Sequence, residues 1–416
     1  MSAQTKLDLN LQAQADQQES ISQTRMGLAK LTRMAFSGQD IANTSSDLLI
    51  DLAQNPNNAG ALMDLAVIEQ LKGNMAQGME YQISALQKCR VFKTSQSEPA
   101  KLKLLVLAAP IHMGGNTPIE FLLDGSGIEV ITHYVVPGLA QSDCVPEHDL
   151  AFIASPGDSG PLRQFLVECG KLADNISVPL LNPADKIAKL ERDNLTPIVS
   201  KIADIKYPAI TRCDRSIMMA IANGSLELQD LCNYISFPVL ARPVGSHAGR
   251  GLAKLETAKD IISYLNDWPD REFFLSEFVD YASTEDGRYR KYRIVFIDGK
   301  PSPVHMAIGD QWKLWYMNAG MEYDQAKRDE EAAFMADFEQ TFAKRHQKAF
   351  NALTEKIGLE YFGIDCAEDQ NGNLVLFEAD NALIVHDMDC EKTYPYKKPA
   401  MRKLFNAFAK MLEHRA

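Results

Sequence analysis

Hydrophobic and polar positions follow two periods along this chain, and the change of period divides it. In "NPNNAGALMDLAVIEQLKGNMAQGMEYQISALQKC" small and apolar residues recur at helical spacing, at Ala61, Leu65, Ala66, Ile68 and Leu71. Gly73-Asn74 breaks the pattern and Met79, Ile83 and Leu86 resume it, so two helices around a short turn are expected. From Lys101 onward, apolar runs of strand length alternate with helical stretches. "KLKLLVLAAP", "IEVITHYVV", "HDLAFIAS" and "VPLLN" read as strands, and "PIEFLLDGSG" and "PLRQFLVECGKLA" as helices. That alternation predicts a compact α/β domain with a parallel sheet over residues 100–184. Beyond about residue 185 hairpins replace crossovers, and the C-terminal part, 185–416, reads as α+β. Residues 1–40 carry Gln, Ser and Thr with little sustained periodicity and are expected to form a partly disordered tail with one short helix.

The helical pair, in a segment bounded at 41–97, resembles a single tetratricopeptide-type repeat. One repeat cannot bury its own faces, so it must dock on the rest of the chain or on a second chain. Two readings stand: a cap on the following domain, or a module that recruits a peptide or protein partner. A homodimer is among the partners this leaves open.

Composition narrows the function. The 416 residues are 46% apolar and 24% charged with a net charge of −12, which speaks against a nucleic-acid partner bound on a broad basic surface. No run reaches the ~20 apolar residues of a membrane span, and the polar N-terminus lacks the apolar core of a signal peptide. The cysteines at 89, 144, 169, 213, 232, 366 and 390 include no CxxC pair. Reduced structural thiols in a cytoplasmic protein are therefore expected.

Two stretches carry chemistry. "ARPVGSHAGRGL" holds Gly245, Gly249 and Gly251 beside Arg242 and Arg250, a loop whose backbone N–H groups suit an anion. It lacks the GK[ST] ending of a P-loop, and the chain lacks the HRD and DFG segments of a protein kinase. Gly125-Ser-Gly127 follows no strand and opens no helix, so it is no dinucleotide fingerprint. The second stretch is "YFGIDCAEDQNGNLVLFEADNA". A two-residue Asn371-Gly372 turn would set Asp365 directly opposite Glu378, with Asp380 on the same face and Cys366 on the other. Opposed carboxylates repel unless a cation lies between them, and an oxygen-only set suits magnesium together with a substrate phosphate. The other reading is a different register with one carboxylate facing solvent.

With these pieces in order, residues from about 185 to 416 resemble the ATP-grasp superfamily, closest to the branch of glutathione synthetase and ribosomal-protein S6 glutamate ligase. The resemblance implies an α/β class overall: an ATP-grasp domain of two subdomains enclosing ATP, preceded by a Rossmann-like pre-ATP-grasp domain at 100–184 and the helical hairpin. "VLARP" matches a strand that usually ends in Lys-Pro, so Arg242 replaces a phosphate-binding lysine. "GSHAGRG" (Gly245, Ser246, His247, Gly249, Arg250, Gly251) resembles the loop that closes over the triphosphate. "FLSEFVDY" resembles the adenine hinge at Glu277, Phe278 and Val279, with Asp280 near the ribose. "KYRIVFIDGKPSPV" puts Arg293 on the arginine that contacts the transferred phosphate. Asp365, Glu378 and Asp380 fall on the ligands of one or two magnesium ions. The chain departs from the pattern at Asp380, where asparagine is usual, and at Asn194, where an early helix lysine is common; Arg192 or Lys189 would compensate.

What the resemblance implies is an ATP-dependent carboxylate–amine ligase working through an acyl phosphate and releasing ADP, on small-molecule or peptide substrates. Lys313 and Asn318 in "GDQWKLWYMNAGM", His386 in "NALIVHDMD" and His112 after the first strand of the α/β domain are candidate substrate contacts, and His247 is a second candidate at the γ-phosphate. For the histidines and aromatics a purely structural role is the competing reading. Two other functions compete: a phosphotransferase on the same fold, and an ATP-binding scaffold with weak or no catalysis. "AKRDEEAAFMADFEQTFAKRHQKAF" reads as a solvated amphipathic helix.

Overall fold

The structure is a computed structural model and describes residues 22–94, 100–138, 145–157, 160–247 and 249–416. The first 21 residues of the expected tail, residues 95–97 of the helical segment, and Cys144 lie outside the described residues.

The first sheet contains β1 (Gln23–Arg25), β2 (Val91–Thr94), β3 (Leu102–Ala108), β4 (Ile128–Tyr134), β5 (Leu150–Ile153) and β6 (Leu180–Leu181), in the order β1-β2-β4-β3-β5-β6. From β4 to β6 all pairs are parallel. These are the four expected strands, buried on both faces as parallel strands require. The expected helix in "PIEFLLDGSG" is reduced to one turn, Ile119–Leu122.

Within residues 22–40 a strand at the sheet edge, β1, precedes one short helix, Leu28–Phe36. Long-range polar contacts hold this segment down. Buried Arg25 pairs with Glu120 at 2.7 Å and lies over the rings of Phe92 and Tyr134. Asp64 accepts the backbone N–H groups of Met26 and Gly27 at 2.7 and 3.1 Å. The expected helical pair is present as Ala59–Leu71 and Met75–Lys88. It docks on the α/β sheet, where Ala59, Met63 and Leu86 pack with Phe92 and Tyr134. Gln82 also donates to the Ile111 carbonyl at 3.2 Å.

Of the next strands, β7 (Ile205–Lys206) stands apart from β8 (Ile210–Asp214), β9 (Val239–Pro243), β10 (Ala253–Leu255) and β11 (Glu272–Glu277), which form a sheet in the order β10-β9-β11-β8. The chain then enters β12 (Tyr289–Ile297), β13 (Lys300–Gly309), β14 (Tyr361–Glu368) and β15 (Leu374–Asp380). These make the sheet β13-β12-β14-β15-β7. The C-terminal helix, Lys397–Arg415, buries Leu404, Phe405 and Phe408 in a core shared with Leu104, Val106 and Phe152 of the first sheet, which ties the two halves together.

The expected solvated helix around residues 326–350 is broken into Gln325–Asp337, Phe342–Arg345 and the start of Gln347–Ile357. It is not simply solvated: Phe338, Phe342 and Phe350 are buried against Tyr292 and Phe296 of β12. Its Glu331 is also buried, accepting from Met306 N at 3.0 Å, Tyr316 Oη at 2.9 Å and Tyr396 Oη at 2.6 Å.

Candidate functional site

Three adjacent antiparallel strands bring the charged residues together. Arg293 of β12 lies directly opposite Asp365 of β14, which lies directly opposite Glu378 of β15. The last pairing was expected from a two-residue turn, but the chain reaches it by another route. The loop has three residues, Gln370–Gly372, ending on left-handed Gly372, with Asp369 N–H donating to Asn373 O at 3.0 Å. That loop leaves Glu368 opposite Leu374, one residue out of the expected register. A bulge between Asp365 and Cys366 inserts the missing residue and restores the carboxylate pair. Cys366 is buried on the other face, and burial pushes its thiol well above the ordinary range.

The carboxylates are neutralised by the protein's own cations. Arg293 donates to both oxygens of Asp365, Nε at 2.8 Å and Nη2 at 3.1 Å, and Lys291 Nζ stands 2.7 Å from Oδ2. Arg192, at the start of the Arg192–Val199 helix, is hydrogen-bonded to Glu378. Burial opposes ionisation of Asp365, but Arg293 and Lys291 outweigh it and hold the carboxyl far below the usual carboxylate range. Glu378 is also held low: burial and the Asp365 charge oppose, while Arg192, Lys291 and Arg242 prevail. Asp380 completes the face and accepts the N–H of Ala382 at 2.8 Å. Among the described residues, no three acidic, histidine or cysteine side chains converge as a cation cage. Asp365, Glu378 and Asp380 therefore share a sheet face, with basic groups gathered among them.

The glycine loop joins β9 to β10, and its Gly245, Gly249 and Gly251 all have positive φ. Arg242 reaches back to the loop through hydrogen bonds to Ser246, to Oγ at 3.2 Å and to the carbonyl. The His247 carbonyl accepts Arg250 N–H at 3.0 Å. Arg250 itself lies over Trp268 and pairs with Asp270 at 3.3 Å. Lys313 donates to the Leu252 carbonyl at 2.7 Å, and Trp315 packs by Gly249, so the "WKLW" stretch braces the loop. Asn318 closes that stretch on itself through Lys313 O and Trp315 N, both at 2.9 Å. Lys313 and Asn318 thus hold the loop's support here.

Glu277 to Asp280 carry the chain from one sheet to the other. The Glu277 N–H is already bonded to Ala209 O at 2.9 Å, and its carboxylate faces Lys206 at 3.6 Å. Phe278 meets Trp312 edge-on, Val279 is buried with Ala367 and Val375, and Asp280 accepts Ala282 N–H at 3.1 Å.

On the far side of Arg293 opens a cavity of about 1740 Å³, lined in part by Arg293, His305, Tyr316, His386 and Lys397. His386 is among its lining residues. Its Nδ1 accepts Met388 N–H at 3.2 Å, and burial lowers its pKa despite Asp389. His112 is exposed near Gly114 and Ile384, outside this lining. The sequence reading missed Lys291, His305 and Lys397. Lys291 has a local signal, lying two residues before Arg293 on the same strand face. His305 and Lys397 arrive through topology: His305 pairs across β12–β13 with Arg293, and Lys397 starts the C-terminal helix, far along the chain from both.

No protein-family model and no curated protein match the chain. Among solved structures it is similar to a RimK domain protein ATP-grasp from Sphaerobacter thermophilus (17% identity, 75% of this chain and 99% of that one, TM-score 0.41). It is similar likewise to VanG D-Ala:D-Ser ligase from Enterococcus faecalis (12% identity, 74% and 99%, TM-score 0.45). A third similar structure is a D-alanine–D-alanine ligase from Bacillus anthracis complexed with ATP (11% identity, 76% and 98%, TM-score 0.44).

Proposed function

We propose that this chain is an ATP-grasp ligase that joins a carboxylate to an amine at the expense of ATP. The observation that carries the reading is the line Arg293–Asp365–Glu378 across three neighbouring strands, with Arg192 and Lys291 on its carboxylates. A site built to move a phosphoryl group needs acidic oxygens for a cation and basic groups for phosphate, side by side. Here the two sets neutralise each other, so nucleotide would exchange one set of partners for another without stranding buried charge.

The donor type suits magnesium, since Asp365, Glu378 and Asp380 offer only oxygens on one face, although as they stand they do not converge as a cage. These residues would hold it, and its charge would neutralise phosphate oxygens. Arg192, Lys291 and Arg293 would turn from carboxylates, and Arg242 from Ser246, to the triphosphate, arginine supplying a fork suited to its oxygens. The Gly245–Gly251 loop, braced by Lys313 and Trp315, would exclude water from the reacting atoms. A substrate carboxylate oxygen then attacks the γ-phosphorus, and the bond to the bridging oxygen breaks, releasing ADP. The amine attacks the acyl carbon of the resulting acyl phosphate. The C–O bond to phosphate breaks, inorganic phosphate departs, and the amine's proton passes to solvent.

The test is incubation with magnesium-ATP and pooled carboxylates and amines, reading ADP and new masses. ADP release that requires both pools and yields a condensed product supports ligation. A phosphorylated acceptor points to phosphotransfer instead, and ADP release that no pool stimulates refutes the ligase.

A further inference from the structure

The cavity beyond Arg293 contains a cation that the chemistry above does not use. Lys397 is only 3% exposed, yet it lines the cavity. Its ammonium lies 3.7 Å from the ring centre of Tyr316 and 4.8 Å from that of Tyr394. Its carboxylate neighbours stand back, Glu331 at 3.5 Å and Asp389 at 3.6 Å, against the ~2.8 Å of a charge-assisted hydrogen bond. Glu331 has its oxygens engaged by Met306 N, Tyr316 and Tyr396. This buried ammonium has aromatic walls and two carboxylates within ion-pair range, but no close charge-assisted hydrogen bond to either, which leaves room for a closer carboxylate.

A continuous path links this lysine to the reacting end. Arg293 is the cross-strand partner of His305, whose ring centre is 4.8 Å from that of Tyr316, and Tyr316 carries Lys397. The cavity volume exceeds the ~300–1,000 Å³ usual for small ligands. Its lining includes Phe36, Met317 and Tyr323, which are 68%, 88% and 85% exposed.

We propose that Lys397, with Tyr316 and Tyr394 as walls, is a second carboxylate subsite. It takes a carboxylate of the substrate other than the one activated at Arg293. The substrate class is therefore a compound with at least two carboxylates, supplied either as a free dicarboxylate or as an acidic peptide that fills the cavity. This rests on the ligase reading for the role of the first carboxylate; binding at Lys397 does not depend on turnover.

The test is calorimetric binding of glutarate, butyrate, an acidic tetrapeptide and its fully amidated form to the full chain, with magnesium-ATP binding measured in parallel. Glutarate or the acidic tetrapeptide should bind wild type at least tenfold more tightly than its counterpart with fewer carboxylates. Lys397→Met should remove that preference and Lys397→Arg should retain most of it. Whichever of the two binds identifies the source. In wild type the bound probe should also protect Lys397 from acetylation by acetic anhydride, read by mass spectrometry, which needs no variant. Equal binding of the matched probes, or no protection of Lys397, overturns the subsite. Failure of magnesium-ATP to bind, with the Lys397-dependent preference intact, would sink the ligase reading and leave the subsite standing.

Discussion

Arg293 and Asp365 face each other across β12 and β14 and close a two-pronged fork, with Nε to Oδ1 at 2.8 Å and Nη2 to Oδ2 at 3.1 Å. Because Asp365 is buried, this fork has a structural role of its own. Removing the arginine leaves a buried carboxylate with Lys291 as its remaining partner.

Arg293→Met is therefore expected to destabilise the protein by about 3 kcal/mol. Lys291→Met should cost less, because the fork survives it. Urea unfolding of both variants checks this, and equal costs would contradict the ranking. The loss should fade in acid: a carboxyl held low by its partners stabilises the fold above its unfolded value and loses that contribution as pH falls through its folded one.

The glycine loop gives a matched pair of substitutions. Gly245 and Gly251 both lie in the left-handed region, at φ 68° and 65°. A Cβ at Gly245 meets nothing within 4 Å, whereas one at Gly251 would sit 2.5 Å from Cδ of Pro243. Gly245→Ala should cost about 1–2 kcal/mol from backbone strain alone. Gly251→Ala should cost more and should weaken nucleotide binding more, because the loop must shift off β9. Thermal unfolding and ATP titration check both, and indistinguishable variants would contradict the close approach.

Asp64 anchors the segment that leads into the cavity wall at Ala29, Lys30 and Arg33. Burial raises its pKa to about 6, against hydrogen bonds from Met26 and Gly27 that favour the charged form. A raised carboxyl favours the fold at low pH, and that advantage is lost as pH rises from about 4 through about 6. The stability of Asp64→Asn relative to wild type should thus rise by about 2 kcal/mol between pH 4 and pH 7. A difference that stays constant with pH would contradict it.

Much of the first sheet and the carboxylate pair was legible because local patterns determine them. Strand-length apolar runs predicted β3 to β6. Asp365 and Glu378 were found opposite one another even though the turn was misread, because the extra loop residue and the bulge cancel. The docking of residues 22–40 was not legible, since their anchors, Glu120, Phe92, Tyr134 and Asp64, lie far along the chain. Nor was the burial of Glu331, which depends on three donors from separate elements. Lys397 reads locally as the polar start of a helix, and only the packing of that helix brings it to His305 and Tyr316.

Glu378 lies between Arg192 and the Asp365 pair, where the proposed ligase would bring cation and phosphate together. Glu378→Gln is expected to lower magnesium-dependent turnover by about a hundredfold or more, as loss of a principal transition-state group does. Steady-state ADP release checks it, and unchanged turnover would refute the metal assignment.

The most direct measurement follows the oxygen. The protein is incubated with magnesium-ATP, amines, and a pool of amino acids and acidic peptides carrying oxygen-18 in their carboxylates, and the released phosphate is weighed. An acyl phosphate predicts one labelled oxygen in each phosphate formed. Phosphate released without label would contradict carboxylate activation at this site.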